Sequence, residues 1–330
     1  MAEAHAVEAE RLVRIFKGGI RAVDGVDLIV ERGEVYGFLG PNGAGKSTTV
    51  RMLATLLRPT GGRALVAGHD VVSEAAAVRR SIGVALQDAA IDPYMTGREL
   101  LHLQAVLHAF PRGVGRARAV ELLERVDLSA AADRRVATYS GGMRRRLDLA
   151  LALVHEPEVL FLDEPTTGLD PISRLTLWEE VRRLNRHSGT TVFLTTQYLE
   201  EADQLAGRVG IIDGGRIVAE GTPAELKAQV GDPTLNVSLA RPEDADVAAA
   251  ALRPLGELVP ARPGCLAVRL PAGAAALPAA VRALDDAGVD VAGLDLAQPT
   301  LDDVFVAKTG RHLEAETAEG PAGAPAPSAA

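Results

Sequence analysis

Three short segments hold residues whose types and spacing suit phosphate chemistry. Gly40-Pro41-Asn42-Gly43-Ala44-Gly45-Lys46-Ser47-Thr48 fits the phosphate-loop pattern. Its glycines let backbone N–H groups converge on a polyphosphate, and the helix expected to follow adds positive potential at its N-terminus. Lys46 would reach the β- and γ-phosphates and Ser47 would hold Mg²⁺. Val159-Leu160-Phe161-Leu162-Asp163-Glu164 is an apolar run ending in two acids. A carboxylate pair there sits where open α/β sheets bind ligands. Downstream of a phosphate loop, Asp163 is expected to hold Mg²⁺ and Glu164 to polarise the attacking water; without that loop a solvated strand end is an equal reading. Tyr139-Ser140-Gly141-Gly142-Met143 precedes a helical stretch to Val154. Ser140 can cap that helix, and Gly141 and Gly142 let a phosphate approach its first N–H groups. Taken alone, this segment reads better as a capped helix with no ligand.

These residues need elements to position them. Val35–Leu39 reads as a buried strand feeding the phosphate loop, and Lys46–Leu57 as the helix after it. Val159–Leu162 and Thr191–Leu194 read as two further buried strands, and Ile172–Asn185 as an amphipathic helix. Short apolar strands alternating with helices predict an α/β body with a parallel sheet. Between about 90 and 155 the pattern is helical, with Thr96 and Glu99 forming a capping box and helices expected near 97–109 and 114–126. Asp213-Gly214-Gly215 predicts a hairpin turn, and Thr222-Pro223 the start of a short helix. The composition shifts at Gly231-Asp232-Pro233. The expected organisation is a nucleotide-binding domain over 1–230 with a helical insert at about 90–155, a small α/β domain over 231–312, and a disordered tail over 313–330.

Composition bounds the function. The chain has 330 residues with 35 basic and 44 acidic side chains, a formal charge of −9 that argues against a general polyanion binder. A hydrophobic fraction of 47% excludes a wholly disordered chain. The lone Cys265 excludes an internal disulfide framework and fits a reducing compartment. A membrane span needs about 20 mostly apolar residues, and Arg269, Pro271 and Pro278 break the nearest candidates. The N-terminal residues lack a basic region followed by an apolar run, so no secretory signal is expected. Any action on a membrane must then go through a partner. Arg144-Arg145-Arg146 could be a nucleic-acid patch, but a solvated face or pairing with local acids is the expected role given the net charge.

Together these segments resemble the nucleotide-binding subunits of ATP-binding cassette (ABC) transporters, over about residues 8–230. The serine–glycine–glycine segment looks like the family's signature motif. The resemblance is to the daunorubicin/doxorubicin-resistance type of exporter subunit, carried by Tyr139–Leu149, by Thr195–Asp203 and by Leu301-Asp302-Asp303-Val304-Phe305. It implies a P-loop cassette, with a mixed sheet core and a helical insert, followed by the small α/β domain. It further implies that Gln87 is the glutamine that senses Mg²⁺ and γ-phosphate. Phe16, which by sequence alone reads as a core residue, falls where the family stacks an aromatic on adenine. Asp170, in Gly168-Leu169-Asp170, falls in the loop that faces the opposite subunit's nucleotide site.

There are two departures from the family pattern. Met143 stands where many relatives have glutamine, with little loss expected because the phosphate contacts come from Ser140 and backbone. Gln197 stands at the switch-histidine position, as it does in the resembled subtype; glutamine donates a hydrogen bond but carries no proton. Slow hydrolysis with Glu164 as principal base follows, Lys46 and Gln197 completing the catalytic set. The implied function is ATP hydrolysis coupled to efflux of a hydrophobic drug or antibiotic-like compound. It would run through a separately encoded permease at the cytoplasmic face of the cell membrane, conferring antibiotic resistance. Two copies would sandwich two ATP molecules, and no nucleic acid is expected. Tyr94 and Met95 are candidate permease contacts. The alternative is a soluble, non-transport ATPase acting on ribosome or DNA; its usual marks (two cassettes in one chain, coiled-coil insertions, cysteine clusters) are missing from the sequence. The small domain is expected to support dimer contacts or regulation.

Overall fold

The computed structural model describes residues 5–87, 91–259 and 265–313. The chain divides into two compact units, one running to Pro223 and rejoined at Leu313, the other Ala224–His312. The boundary falls a few residues before the composition shift. The expected tail lies outside the described residues apart from Leu313.

The larger unit is built on a six-stranded sheet in the order 216–221, 208–213, 35–39, 191–196, 159–163, 82–85. All neighbours are parallel except the hairpin Arg208–Asp213/Arg216–Gly221. Val159–Asp163 and Thr191–Thr196 are buried along their whole length, which is why their 159–162 and 192–194 stretches read as apolar runs. Successive side chains still point to opposite faces. Phe161 and Phe193 enter one core with Tyr36 and Phe38, and their rings sit 5.5–5.6 Å apart about Phe193. Leu160, Leu162, Val192 and Leu194 enter the other core, shared with the helices Gly97–Leu107, Arg112–Arg125, Gly141–Ala152 and Pro171–Ser188.

A second, antiparallel sheet covers the aromatic side, in the order 21–30, 7–15, 61–66, 69–70. The sequence reading does not register these strands. Glu8, Glu10, Arg11 and Arg14 interrupt the apolar pattern of Val7–Ile15, and its Ala9 to Leu12 stretch carries a register shift that breaks strict alternation. The helix after the phosphate loop is shorter than expected, ending at Leu53 rather than Leu57. The apolar spacing continues, but Thr55 turns into the left-handed region at φ 63°, and Leu56 and Leu57 N–H groups both fold back onto the Arg51 carbonyl.

The insert region has no strand among its described residues; Thr96 and Arg135 form a single bridge. Thr96 and Glu99 make the reciprocal capping box expected of them.

The smaller unit has an antiparallel sheet ordered 257–259, 265–269, 234–239, 291–297, with helices Ala245–Leu252 and Leu277–Asp286. Its strand–helix–strand–strand–helix–strand sequence is that of split βαβ units. Leu235, Val237, Leu252, Val268, Ala280 and Leu284 form its core. Helix Leu301–Thr309 follows, opened by a Thr300/Asp303 capping box and burying Leu301, Val304 and Phe305.

Candidate nucleotide site

The phosphate loop leaves strand Val35–Leu39 and enters helix Lys46–Leu53 through Gly45, whose φ is 108°. A Cβ there would lie 2.4 Å from the Ala22 carbonyl oxygen, so both conformation and space demand glycine. The loop is tied to the sheet by Gly40 N–H donating to the Thr196 carbonyl at 3.2 Å.

Lys46 is buried, 3% exposed. Its Nζ donates to the Gly40 and Pro41 carbonyls at 2.8 and 2.9 Å and lies 3.2 Å from Glu164 Oε1. Burial pulls the ammonium below its ordinary pKa, opposed by the Glu164 and Asp163 carboxylates. A long flexible cation is thus held at one point, aimed along the loop.

Asp163 ends strand Val159–Asp163 and is fully buried. Its Oδ1 accepts from Ser47 Oγ at 3.0 Å and from Thr195 Oγ1 at 2.6 Å. Its Oδ2 is buried with no hydrogen-bond partner. An unsatisfied buried carboxylate oxygen beside a hydroxyl is an oxygen-only donor set of the kind a hard divalent cation takes. Glu164 follows with φ 48°, left-handed for a residue that has a Cβ; such backbone costs roughly 1–3 kcal/mol and persists where surroundings impose it. Part of that constraint is visible: its N–H donates to Thr195 carbonyl oxygen and Oγ1 at 3.1 and 3.0 Å, and its Oε2 accepts from Thr167 Oγ1 at 3.4 Å.

Two strand ends that pair in register, Asp163 beside Thr195, therefore place the acids against the phosphate loop. Gln197 lies two residues past Thr195 and is half-buried. Gln87 is exposed and lines a cleft of about 410 Å³ with Glu164, Thr167, Gly168 and Gly141. Ser140 caps its helix, its Oγ accepting from Met143 N–H at 3.2 Å.

One expectation changes on the structure and two gain detail. Phe16 is not a core residue: it is 39% exposed, with the Arg14 guanidinium 4.8 Å from its ring centroid. The strand stops at Ile15, and Phe16 closes a tight turn by pairing its N–H with Ile20 and its carbonyl with Gly19. Asp170 is committed to a helix end: Oδ1 accepts from Ile172 and Ser173 N–H at 3.1 and 3.0 Å and Oδ2 from Ser173 Oγ at 2.6 Å. These bonds hold its carboxyl below the usual pKa, and within this chain its contacts serve the helix N-terminus. The arginine run splits: Arg144 is exposed, Arg146 bonds the Val126 carbonyl at 2.9 Å and lies 3.3 Å from Asp127, and Arg145 turns inward. Thr195 and Arg145 are the residues that the sequence reading misses. The signal for Thr195 was its place at a strand end ahead of Gln197; Arg145 looked like one of three equivalent charges.

The chain is similar to several known proteins. The family model "ABC transporter" matches residues 23–167. Daunorubicin resistance ATP-binding protein DrrA3 of Streptomyces coeruleorubidus is 53% identical over 293 residues, 89% of this chain and 92% of that protein. Doxorubicin resistance ATP-binding protein DrrA of Mycobacterium tuberculosis is 47% identical over 91% of this chain and 92% of that protein. Among solved structures, cbiO1 of Clostridium perfringens, part of the ABC transporter complex cbiONQ, superposes with a TM-score of 0.64 at 29% identity, over 69% of this chain and 92% of that one. The dimeric ATP-binding cassette MJ0796, bound to ADP and Pi, gives 0.61 at 27% identity, over 66% of this chain and 98% of that one. Cassettes of this kind hydrolyse ATP, dimerise, and work with a membrane permease. On sequence and fold together, the chain belongs to the ABC transporter family, as an ATP-binding subunit of the daunorubicin/doxorubicin-resistance type.

Proposed function

We propose that this ATPase drives outward movement of a hydrophobic drug or antibiotic-like compound through a separately encoded integral-membrane permease. It works as a homodimer at the cytoplasmic face of the cell membrane. The observation that carries the catalytic part is the cluster of Lys46, Glu164, Asp163, Ser47 and Thr195 at two paired strand ends. The named relatives carry the export part. No helix among the described residues is long and apolar enough to cross a membrane, in keeping with a partner that supplies the path.

Each residue then has a task. The 40–48 loop wraps the β- and γ-phosphates with its N–H groups, and Phe16 offers an exposed ring to adenine. Asp163 and Ser47, with Gln87, would hold Mg²⁺, which supplies charge neutralisation of the phosphates when bound. A γ-phosphate that engages Lys46 takes over the partner that Glu164 now has at 3.2 Å. The freed carboxylate accepts a proton from the water that attacks the γ-phosphorus, while the bond from that phosphorus to the β-bridging oxygen breaks. Gln197 donates a hydrogen bond to the γ-phosphate and moves no proton. Ser140, Gly141 and Gly142 present a second helix N-terminus to the nucleotide of the partner copy, and Asp170 shapes the loop facing that copy.

The permease helix is received beside Gln87. Of the two candidate contacts, Tyr94 is 78% exposed while Met95 packs against the buried core, so the contact falls on Tyr94. An adjoining groove of about 410 Å³, lined by Leu86, Ile91, Gln104, His108 and Leu151, gives the helix an apolar seat.

The test is a pull-down of tagged Glu164→Gln protein with Mg·ATP from detergent-solubilised membranes of the native host. Recovery of one multi-span protein is the expected outcome. Recovery of ribosomes or nucleic acid without a membrane protein would establish the non-transport alternative instead.

A further inference from the structure

Arg145 is the second residue of a run that looks like three surface charges, yet only 11% of its side chain is exposed. Its guanidinium makes a separate bond in each of four directions. Nη1 donates to the Leu86 carbonyl at 2.6 Å and to Asp148 Oδ2 at 3.2 Å. Nη2 donates to the Asp163 carbonyl at 2.8 Å, and Nε to the Pro165 carbonyl at 2.9 Å. The three carbonyls are not a random set. Those of Asp163 and Pro165 flank Glu164, the residue whose backbone is left-handed. That of Leu86 immediately precedes Gln87. The planar fork reaches these three separated carbonyls from three different nitrogens, whereas a lysine offers all of its donors at one atom. The bonds are charge-assisted and largely shielded from water, where they hold geometry best.

We propose that Arg145 is a positioning residue for ATP hydrolysis. It clamps the backbone on both sides of Glu164 and ties that turn to the Gln87 segment and to the signature helix, so the base and the sensor move together. The inference rests on Glu164 being the base. Misplacement of a base by about 1 Å costs as much as a hundredfold in rate, so losing the clamp should appear in kcat and not in nucleotide affinity.

The experiment uses the full chain with Mg·ATP and four proteins besides wild type: Arg145→Met, Arg145→Lys, Glu164→Gln and the double variant Arg145→Met/Glu164→Gln. Turnover is followed under multiple- and single-turnover conditions, with melting temperature as a check on folding. Arg145→Met is expected to lower kcat by at least about tenfold, with KM for ATP changed by less than about threefold. In the Glu164→Gln background the same substitution is expected to cost less than about twofold more, because its effect runs through the missing base. Arg145→Lys, with charge but no fork, is expected to melt near wild type and still lose most of kcat. Wild-type kcat in a folded Arg145→Met protein, or effects that multiply fully in the double variant, would overturn the proposal. If Arg145→Met does not fold, Arg145→Lys decides: native melting with native kcat overturns it. Wild-type turnover by Glu164→Gln alone would instead remove the base assignment, a separate failure.

Discussion

Lys46 and Glu164 form a closed pair within the cluster, 3.2 Å apart and both buried. Breaking that pair takes a second anion, and the γ-phosphate is the anion the loop is shaped to bring. The neutral partner in the same neighbourhood is Gln197. A side-chain amide has no titration in the working range, whereas a histidine at the same place would change charge near pH 6.5. Turnover by the wild-type protein between pH 6 and 8 should therefore show no inflection from this position. A Gln197→His protein should acquire one near 6.5, read from kcat against pH. A Gln197→Ala protein should lose kcat by about tenfold or more, since one preorganised donor to developing charge is removed. Unchanged kcat in the alanine protein would show that the amide makes no such bond.

The signature helix Gly141–Ala152 carries an acid where a helix facing a core is expected to be apolar. Asp148 is buried, and burial pushes its carboxyl up to about 6, against the lowering influence of Arg145 beside it. A carboxyl raised above its unfolded value of 3.8 stabilises the fold fully below that pH, and the contribution is lost as pH rises through about 6. The size is on the order of 3 kcal/mol at one pKa unit per 1.36 kcal/mol. Urea unfolding of wild type and Asp148→Asn, from pH 4 to 7, should show the wild type losing stability relative to the variant as pH rises. A constant difference across that range would mean that Asp148 titrates normally. The two helices that meet at this site are also positioned by their own caps: Ser140 for this one, and Asp170 with Ser173 for Pro171–Ser188. A loop residue that reads as a ligand can be a cap first, because the first N–H groups of a helix need acceptors wherever the helix starts.

One phosphate loop and one signature segment per chain require a second cassette to complete a nucleotide site, and a further copy is the simplest source. In the proposed homodimer, ATP held between two helix N-termini would bind the pair together, and loss of the γ-phosphate would release it. The split βαβ unit adds no catalytic cluster among its described residues, so its contribution is proposed to lie in dimer contacts or regulation. A chain cut after Val230 should keep ATP binding but dimerise less with Mg·ATP or lose regulated turnover, measured by light scattering and phosphate release. Dimerisation and ATPase identical to the full chain would reject that role. The cut leaves intact helix Pro223–Ala228, which ends before it.

Lys46, Ser47, Asp163 and Glu164 were readable from the residue string because each belongs to a contiguous motif, and a contiguous motif specifies its own turn or strand end. The buried strands around them were readable for a related reason: burial on both faces demands uninterrupted apolar residues. The antiparallel sheet was not, because charged residues and register shifts erase its period. Nor was the end of helix Lys46–Leu53, where the turn at Thr55 follows bonds to Arg51 rather than any change in apolar spacing. Thr195 and Arg145 belong to a different class. Their meaning comes from partners 31 and 59 residues away in the chain, the Glu164 N–H and the Leu86 carbonyl. Local sequence sets what a residue can bond with, but burial leaves it only the groups that folding carries to it. Among three adjacent arginines, that is the difference between a surface charge and the proposed clamp behind Glu164.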